Sequence, residues 1–302
     1  MRNIIITAAA LLGILVLPAH AASEASGSAG SLDSAEIEKL TGLKGSLDEK
    51  EHVFKVSAPR KDLKVIGWGV HLTPPMGLTS WAAFERAGDQ TMVMGDMVLE
   101  ESQVDPVMEV ALANGLDVTA LHNHFLWTSP VVMFMHIGGV GDEAKLASAV
   151  GKVFDKIKET SGKDERRPIT EIDPAKTTLD PKKLDAVLGA NGDFKDGVYK
   201  AVFGRVTKMH GHEVGSVMGV NTWAAFAGSD DKAVVDGDFA MLESELQPVL
   251  KKLRAASISV VAIHQHMTGE EPRIMFLHYW GIGRAEDLGR GIRGALDLTR
   301  AK

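Results

Sequence analysis

The apolar positions of this chain recur at two spacings. Over residues 103–114 and 245–256 they follow helical spacing, which predicts one amphipathic helix in each stretch. Shorter apolar or alternating runs predict strands at 53–56, 80–84, 91–99, 116–125 and 132–137, and again at 198–203, 222–226, 233–242, 258–267 and 274–280. Closing helices are predicted at 142–158 and 285–300, and Asp33 and Asp180 can each cap a short helix. The same order of elements therefore occurs twice.

A repeated sequence underlies this repeated order. Trp81-Ala82-Ala83-Phe84 returns as Trp223-Ala224-Ala225-Phe226, at an offset of 142 (223 − 81). Upstream of Trp81 the offset drifts, and no match is evident around His71 or His210-Gly211-His212. Internal similarity of this kind indicates a duplicated structural unit. We predict repeat 1 at residues 33–158 and repeat 2 at 180–302, joined by a polar linker at 159–179.

The predicted fold class is α+β, with a β-β-α-β-β-α core in each repeat and mostly antiparallel sheets. The strands that carry the histidines are apolar on both faces, because in repeat 2 Val260 and Ala262 alternate with Val261 and Ile263. A sheet with one solvated face would not need this pattern. We therefore expect helices on one face of the sheet and the other repeat on the opposite face, as one pseudo-two-fold body.

The repeats share a set of histidines at matching positions. Each pair of equivalents is 142 residues apart (264 − 122, 266 − 124, 278 − 136), and the set comprises His122, His124, His136, His264, His266 and His278. Side chains at i and i+2 of a strand point to the same face, so each His-x-His pair projects together. Three neutral imidazoles beside an open position are a known arrangement for catalytic zinc.

A hairpin in each repeat would bring the third histidine to the first two. If the hairpins centre on Pro130 and Pro272, His124 lies opposite His136, and the same holds for the equivalents in repeat 2. Asp96 and Asp238, each after a glycine, are candidates for a fourth ligand or for a carboxylate that orients an imidazole. We expect a divalent transition metal, zinc first and copper as the alternative.

Two other interpretations of the histidines remain open. They could form a metal-free polar site, bonded to carboxylates or to a small anionic ligand, or a purely structural cluster. In repeat 2 alone, Glu271 could act as a general base beside metal-bound water, and Arg273 could bind a ligand carboxylate or phosphate. The same two residues also suit a solvated charge pair. The function classes are thus a metal-binding protein or metal-dependent hydrolase, a non-enzymatic anion-binding protein, and an inert envelope scaffold.

Charge and composition narrow the partners and the compartment. The net charge of −7, without a basic run, excludes a general nucleic-acid binder. The absence of cysteine excludes disulfides and thiolate ligands. Residues 1–21 match a cleavable signal peptide ending in Pro18-Ala19-His20-Ala21, followed by a flexible tail at 22–32. We expect a periplasmic protein without a membrane span after cleavage; the sequence identifies no protein partner.

These motifs also resemble a family. Gly237-Asp238, Pro248-Val249, Ala262-Ile263-His264-Gln265-His266, Glu271-Pro272-Arg273 and Phe276-Leu277-His278-Tyr279-Trp280 together resemble the LppY/LpqO family of exported bacterial proteins. The resemblance covers most of the mature chain, in two copies, and implies no established activity, substrate or cofactor. This chain lacks the lipid-attachment cysteine of the named members, which suggests a protein without a lipid anchor. Repeat 1 also departs from the Glu-Pro-Arg motif.

Overall fold

A computed structural model describes residues 31–162 and 169–299 of the chain. The predicted signal peptide lies outside the described residues, as do the tail up to residue 30 and residues 163–168 of the predicted linker. Within the described part, no helix is both long and apolar enough to cross a bilayer. Linker residues 159 and 160 belong to a helix, and the amides of Thr178 and Leu179 bond to the carbonyl of Gly228.

Both repeats contain helices and strands in matching order. The elements of repeat 1 are α1 (Ser34–Thr41), β1 (Gly45–Asp48), β2 (Val53–Pro59), β3 (Ile66–Gly67), β4 (Val70–His71), β5 (Thr79–Ala87), β6 (Gln90–Glu100), α2 (Glu101–Ala113), β7 (Asp117–His122), β8 (Thr128–Ser129), β9 (Val132–Gly141) and α3 (Glu143–Thr160). Those of repeat 2 are α4 (Pro181–Leu188), β10 (Asp193–Lys195), β11 (Val198–Gly204), β12 (Thr207–Met209), β13 (His212–Val214), β14 (Asn221–Gly228), β15 (Ala233–Leu242), α5 (Leu246–Ala255), β16 (Ser259–His264), β17 (Ile274–Gly283) and α6 (Ala285–Leu296).

The predicted caps are present at the first helix of each repeat. The side chain of Asp33 accepts a hydrogen bond from the Glu36 amide, and that of Asp180 accepts one from the Lys182 amide. Each bond satisfies an amide that has no partner within its helix. Both helices end at a glycine with left-handed φ, which is 69° at Gly42 and 68° at Gly189.

One antiparallel sheet of twelve strands runs through both repeats, in the order β1-β2-β5-β6-β9-β7-β16-β17-β15-β14-β11-β10. The order is palindromic, because each strand of repeat 1 has its equivalent at the mirrored place. The repeats meet where β7 pairs with β16 at Leu121 and Ile263. The prediction that the second repeat covers a face of the first is therefore wrong: the repeats join edge to edge, and the pseudo-two-fold axis passes between these two residues.

All six described helices contribute to one apolar layer against one face of the sheet. A single buried cluster extends across both repeats and includes Val107 of α2, Leu121 of β7, Leu250 of α5 and Ile263 of β16. Across the joint, the Gln247 side chain bonds the backbone amide and carbonyl of Val118 at 3.0 and 2.9 Å. These contacts make the two repeats share one core.

A small flap covers one end of each repeat on the opposite face of the sheet. In repeat 1 the flap is the sheet β4-β3-β8, and Val65 and Leu78 pack beneath it on Phe134. In repeat 2 it is the hairpin β12-β13, whose Lys208 forms a bridge with Glu271. The flaps, rather than the other repeat, cover the second face of β9 and β17, through Phe134 and Phe276. The expectation that β16 is covered on both faces is wrong, because a bulge turns both Val260 and Ile263 toward the helices and leaves Val261 46% exposed.

Candidate metal centres

The six histidines lie on the sheet face opposite the helices, beside the flaps. His136 of β9 pairs with Asp96 of β6 on one side and with Ala120 of β7 on the other. Directly opposed residues of antiparallel strands share a face. His122 lies two positions beyond Ala120 and so shares that face too. The pairs Asp238 with His278 and Ala262 with His278 repeat the arrangement in repeat 2.

The predicted pairing of the histidines is wrong in register but right in face. Ala120, and not His124, lies opposite His136, and Ala262, and not His266, lies opposite His278. The error is four residues in each repeat. Because side chains alternate with a period of two, an even shift keeps the histidines that lie within strands, His122, His136, His264 and His278, on the predicted face. The loop after β7 or β16 then brings His124 or His266 back over the sheet.

The imidazole nitrogens converge in both repeats. The Nε2 atoms of His122 and His124 are 3.2 Å apart, and those of His264 and His266 are 3.1 Å apart. Two nitrogens bound tetrahedrally to one zinc ion at about 2.0–2.1 Å would be about 3.3 Å apart. The third ring stacks against the first, with centroid distances of 5.2 Å for His122 and His136 and 4.8 Å for His264 and His278.

A phenyl ring packs against the loop histidine of each trio, which is His124 in repeat 1 and His266 in repeat 2. The ring of His124 stacks on Phe134 at 3.4 Å between centroids, and that of His266 stacks on Phe276 at 3.5 Å. Both phenylalanines are fully buried under the flaps. The loop histidines are thus oriented by the second apolar cluster, although they lie outside regular strands. Their position depends on the flaps.

A buried carboxylate lies beneath each trio. Asp96 oxygens are 3.9 Å from His124 Nε2 and 4.0 Å from His136 Nε2. Asp238 is closer, with Oδ2 at 3.3 Å from His266 Nε2. In both residues Oδ1 is buried and has no hydrogen-bond partner among the described residues. A buried oxygen without a partner lowers the stability of the fold unless a cation or a hydrogen-bond donor binds it. The same unpaired oxygen is present in both repeats.

The glycine before each aspartate is required by close packing in mid-strand. An added Cβ at Gly95 would lie 2.7 Å from the Trp81 carbonyl oxygen. One at Gly237 would overlap the Tyr279 hydroxyl and the Trp223 carbonyl. The Gly-Asp motif therefore does not mark a turn. It lets β6 and β15 approach their neighbours closely while the aspartate reaches the histidines.

Burial shifts the pKa values of several histidines and of both aspartates in the candidate centres. Burial lowers the pKa of His122 and His124, and it lowers the pKa of His264 to about 4. Neutral imidazole is the form that binds a metal. Burial raises the pKa of Asp96 and raises that of Asp238 to about 7, with the neighbouring histidines opposing both shifts. A bound cation would oppose both shifts, because it favours the charged form of a carboxyl group.

Backbone contacts orient the histidines of repeat 2. Nδ1 of His278 lies 3.4 Å from the Gly237 carbonyl oxygen, and Gly219 borders Nδ1 of His266. A partner at Nδ1 leaves Nε2 as the ligating atom, which is the usual arrangement at metal sites. The side chains of His124, His136 and His266 are about one-third exposed, at 35%, 32% and 34%. Each centre is therefore open to solvent on one side.

The donor atoms form two four-residue candidate centres. Ligand atoms of His122, His124 and His136 lie within 4.8 Å of one another, as do those of Asp238, His264 and His266. Pseudo-symmetry adds Asp96 to the first centre and His278 to the second. All eight residues predicted as ligands or their partners are thus brought together, four in each repeat. Three imidazoles and a carboxylate suit zinc and also copper.

Glu271 and Arg273 lie apart from the histidines. Both are exposed, and the backbone of Glu271 pairs with Lys208 in the flap of repeat 2. Arg273 lines a shallow depression with Leu242 and Glu243. Ile274 pairs with Leu242, four residues along β15 from Asp238, which corresponds to roughly 14 Å. No contact between either side chain and a histidine is present in the described structure.

Sequence reasoning missed the equivalence of the two flaps. Ile66 pairs with Ser129, and Lys208 pairs with Glu271, at the same offset of 142 (208 − 66, 271 − 129). His210 therefore corresponds to Trp68, and both have left-handed φ, at 50° and 55°. The sequence signal for this equivalence was the glycine that follows each residue, Gly69 and Gly211. His210 and His212 are exposed on this hairpin and lie outside the candidate centres.

The family comparison agrees with the duplicated architecture. The family model described as Domain of Unknown Function (DUF1259) matches the chain twice, at residues 35–156 and 182–298. The chain belongs to this family. No curated protein and no solved structure matches the chain. The family membership supports two copies of one domain and assigns no activity to either.

Proposed function

We propose that the protein binds two divalent transition-metal ions, one in each repeat. Each ion is held by three histidines and one aspartate, with zinc as the first candidate and copper as the second. The observation that carries the proposal is the buried Oδ1 of Asp96 and of Asp238, which has no hydrogen-bond partner among the described residues. Each of these carboxyl groups lies beneath converging Nε2 atoms, and a cation bound there would stabilise both.

The duplication strengthens this argument over a structural role for the histidines. A cluster that only filled space would not need its nitrogens 3.1–3.2 Å apart and one side open to solvent. The alternative of an anion held by Arg273 gains no support, because Arg273 lies in a separate depression. Likewise, no hydrogen bond or ion pair joins Glu271 to a histidine among the described residues, so the hydrolase alternative gains no support from its proposed base. Metal binding is therefore the function that the geometry favours.

Elemental analysis tests the proposal directly. Protein purified without a histidine tag is expected to contain about two equivalents of zinc or copper. The variant His264→Ala/His266→Ala should retain about one equivalent, and so should His122→Ala/His124→Ala. Anomalous scattering from crystals would place each ion.

The exposed hairpin supplies a matched control. His210→Ala/His212→Ala removes the same number of imidazoles from the surface of repeat 2, outside both centres, and should retain both ions. Substoichiometric metal in the native protein, after incubation with zinc or copper and desalting, would refute the proposal. Unchanged metal content in the two centre variants would do the same.

A further inference from the structure

Two exposed tryptophans stand at the rim of the repeat 1 centre. The side chains of Trp68 and Trp127 belong to residues that are 76% and 79% exposed. Gly67 pairs with Thr128, so continuing this antiparallel register places Trp68 opposite Trp127. Trp127 follows His124 by three residues, and Leu126 beside it is 70% exposed. The two tryptophans therefore occupy neighbouring backbone positions at one end of the flap, and the chain leads from one of them to the ligand His124 within three residues.

The backbone at both tryptophans is unfavourable for a bulky residue. Trp68 has φ of 55° and Trp127 has φ of 59°, in the left-handed region that favours glycine or asparagine. Repeat 2 has Gly269 at the position equivalent to Trp127 (269 − 127 = 142), with φ of 83°. An exposed indole gains little from burial. These two residues therefore contribute nothing evident to folding, and such strain at a surface points to a functional role.

The chain segments that carry the indoles contain no residue with a formal charge, and the nearest charged residues along the chain are Asp62 and Lys64, which line a depression with Pro130. Segments 65–72 and 123–131, which form the flap around them, contain no Lys, Arg, Asp or Glu. The corresponding segments of repeat 2, 207–214 and 265–273, contain Lys208, Glu213, Glu270, Glu271 and Arg273. An uncharged aromatic surface without cationic residues suits neither a nucleic acid nor an anionic membrane, both of which need Lys or Arg. It suits a neutral ligand with ring faces.

We propose that Trp68 and Trp127 form a stacking platform for a neutral carbohydrate chain at the rim of the repeat 1 centre. Indole faces accept the apolar C–H faces of sugar rings, and their N–H groups can meet hydroxyl groups. The platform is open rather than enclosed, so it fits a polymer lying across the surface better than a small molecule that must be largely buried. Successive rings of one chain would stack on the two indoles, as bases do on aromatic platforms.

Affinity electrophoresis tests the platform with defined probes. The full chain is run through native gels containing hydroxyethylcellulose, xylan or glucomannan, and it is also sedimented with insoluble chitin. At least one neutral polymer is expected to retain the protein, and Trp68→Asn/Trp127→Gly should weaken retention about tenfold or more, by loss of two stacking contacts. Trp280→Ala, which removes an exposed indole of repeat 2, should retain full binding.

The same variants test whether the indoles support the fold. Because Asn and Gly accept the left-handed conformation, the melting temperature of Trp68→Asn and of Trp127→Gly should be unchanged or higher. A fall of more than about 4 °C in either variant would assign the indole a structural role and overturn the proposal. Retention by none of the polymers, or unchanged retention of the double variant, would also overturn it.

Two further arms separate the platform from its alternatives. Sedimentation with phosphatidylcholine vesicles that depends on both tryptophans, without retention by any polymer, would assign the surface to a membrane instead. The polymer assay is repeated with His122→Ala/His124→Ala, which lacks the proposed repeat 1 metal ligands. Binding is expected to persist there, because the indoles are not ligands. If the protein binds no metal, the polymer assay can still support the platform. If the protein binds no polymer, the elemental analysis can still support the metal centres.

Discussion

The two repeats place the same donor atoms on the same scaffold but surround them differently. In repeat 2 the Asp238 side chain is 3% exposed and lies 3.3 Å from His266, whereas in repeat 1 the Asp96 side chain is 9% exposed and lies 3.9 Å from His124. Below the strand, repeat 2 has the buried Tyr279 where repeat 1 has Ile137. The flap of repeat 2 is charged, and that of repeat 1 is aromatic.

This difference separates what the fold requires from what each centre can vary. The Gly-Asp pair, the three histidines and the stacking phenylalanine occur in both repeats, since they build the centre itself. The flap tip varies, with Trp127 in repeat 1 where repeat 2 has Gly269. We infer that repeat 2 has the tighter centre and repeat 1 the more accessible one. Paired substitutions at equivalent positions can sharpen or break this contrast.

The largest expected difference concerns the glycine before the aspartate. Gly237→Ala should lower the free energy of unfolding by about 3 kcal/mol, because the new methyl group overlaps the Tyr279 hydroxyl and the backbone of β14. Gly95→Ala should cost about 1–2 kcal/mol, since the nearest atom, at 2.7 Å, lies on one neighbouring strand and Ile137 can shift.

Urea denaturation of the two metal-free variants measures both values. The variant Gly237→Ala/Tyr279→Ile serves as the control, because it replaces the ring, whose Cζ and hydroxyl both meet the methyl group, with the residue that repeat 1 has at the equivalent position, Ile137. It should recover part of the stability lost by Gly237→Ala alone. Equal losses in the two glycine variants would show that the packing beneath the centres is equivalent, and the contrast would be lost.

Sequence patterns predicted the components of this fold better than their arrangement. The duplicated order, the mostly antiparallel sheets and the helix caps at Asp33 and Asp180 follow from local periodicity and from side chains that bond nearby amides. The joint between repeats was not predictable, because it depends on one pairing of Leu121 with Ile263, 142 residues apart. The apolar residues on both faces of β16 did not indicate that both faces are covered, because a bulge after Val260 places Val260 and Ile263 on one face and leaves Val261 exposed.

The residues of the candidate centres were also predicted better than their arrangement. The four histidines within strands were predictable because strand alternation fixes a face even when the register is wrong by an even number. The convergence of His124 and His266 was predicted through a pairing that does not exist. It arises instead from stacking on Phe134 and Phe276, which no local pattern indicates. The separation of Glu271 and Arg273 from the histidines likewise depends on where the flap directs the chain.

The second expected difference concerns the aspartates themselves. Asp238→Asn should weaken zinc binding in repeat 2 about 100-fold, and Asp96→Asn should weaken it in repeat 1 about tenfold, because the former carboxylate is nearer and better buried. Each is measured in a background in which the other centre is removed by its double His→Ala substitution. Competition with a chromogenic chelator gives the two affinities. Equal losses, or a larger loss in repeat 1, would reverse the proposed ranking.

The smallest expected effect is the pH dependence of zinc affinity at the repeat 2 centre. Burial raises the pKa of Asp238 to about 7, so below that pH a proton must leave the carboxyl group before it can bind zinc. The affinity of repeat 2 should therefore fall about tenfold for each pH unit below 7 and level off above it. The lowered pKa of His264, about 4, means that protonation of this ring does not add to the slope above pH 5.

Zinc titrations between pH 5.5 and 8 measure the slope, and Asp238→Asn should flatten it. A slope of two or more protons, unchanged by that substitution, would mean that the histidines rather than the aspartate compete with the metal.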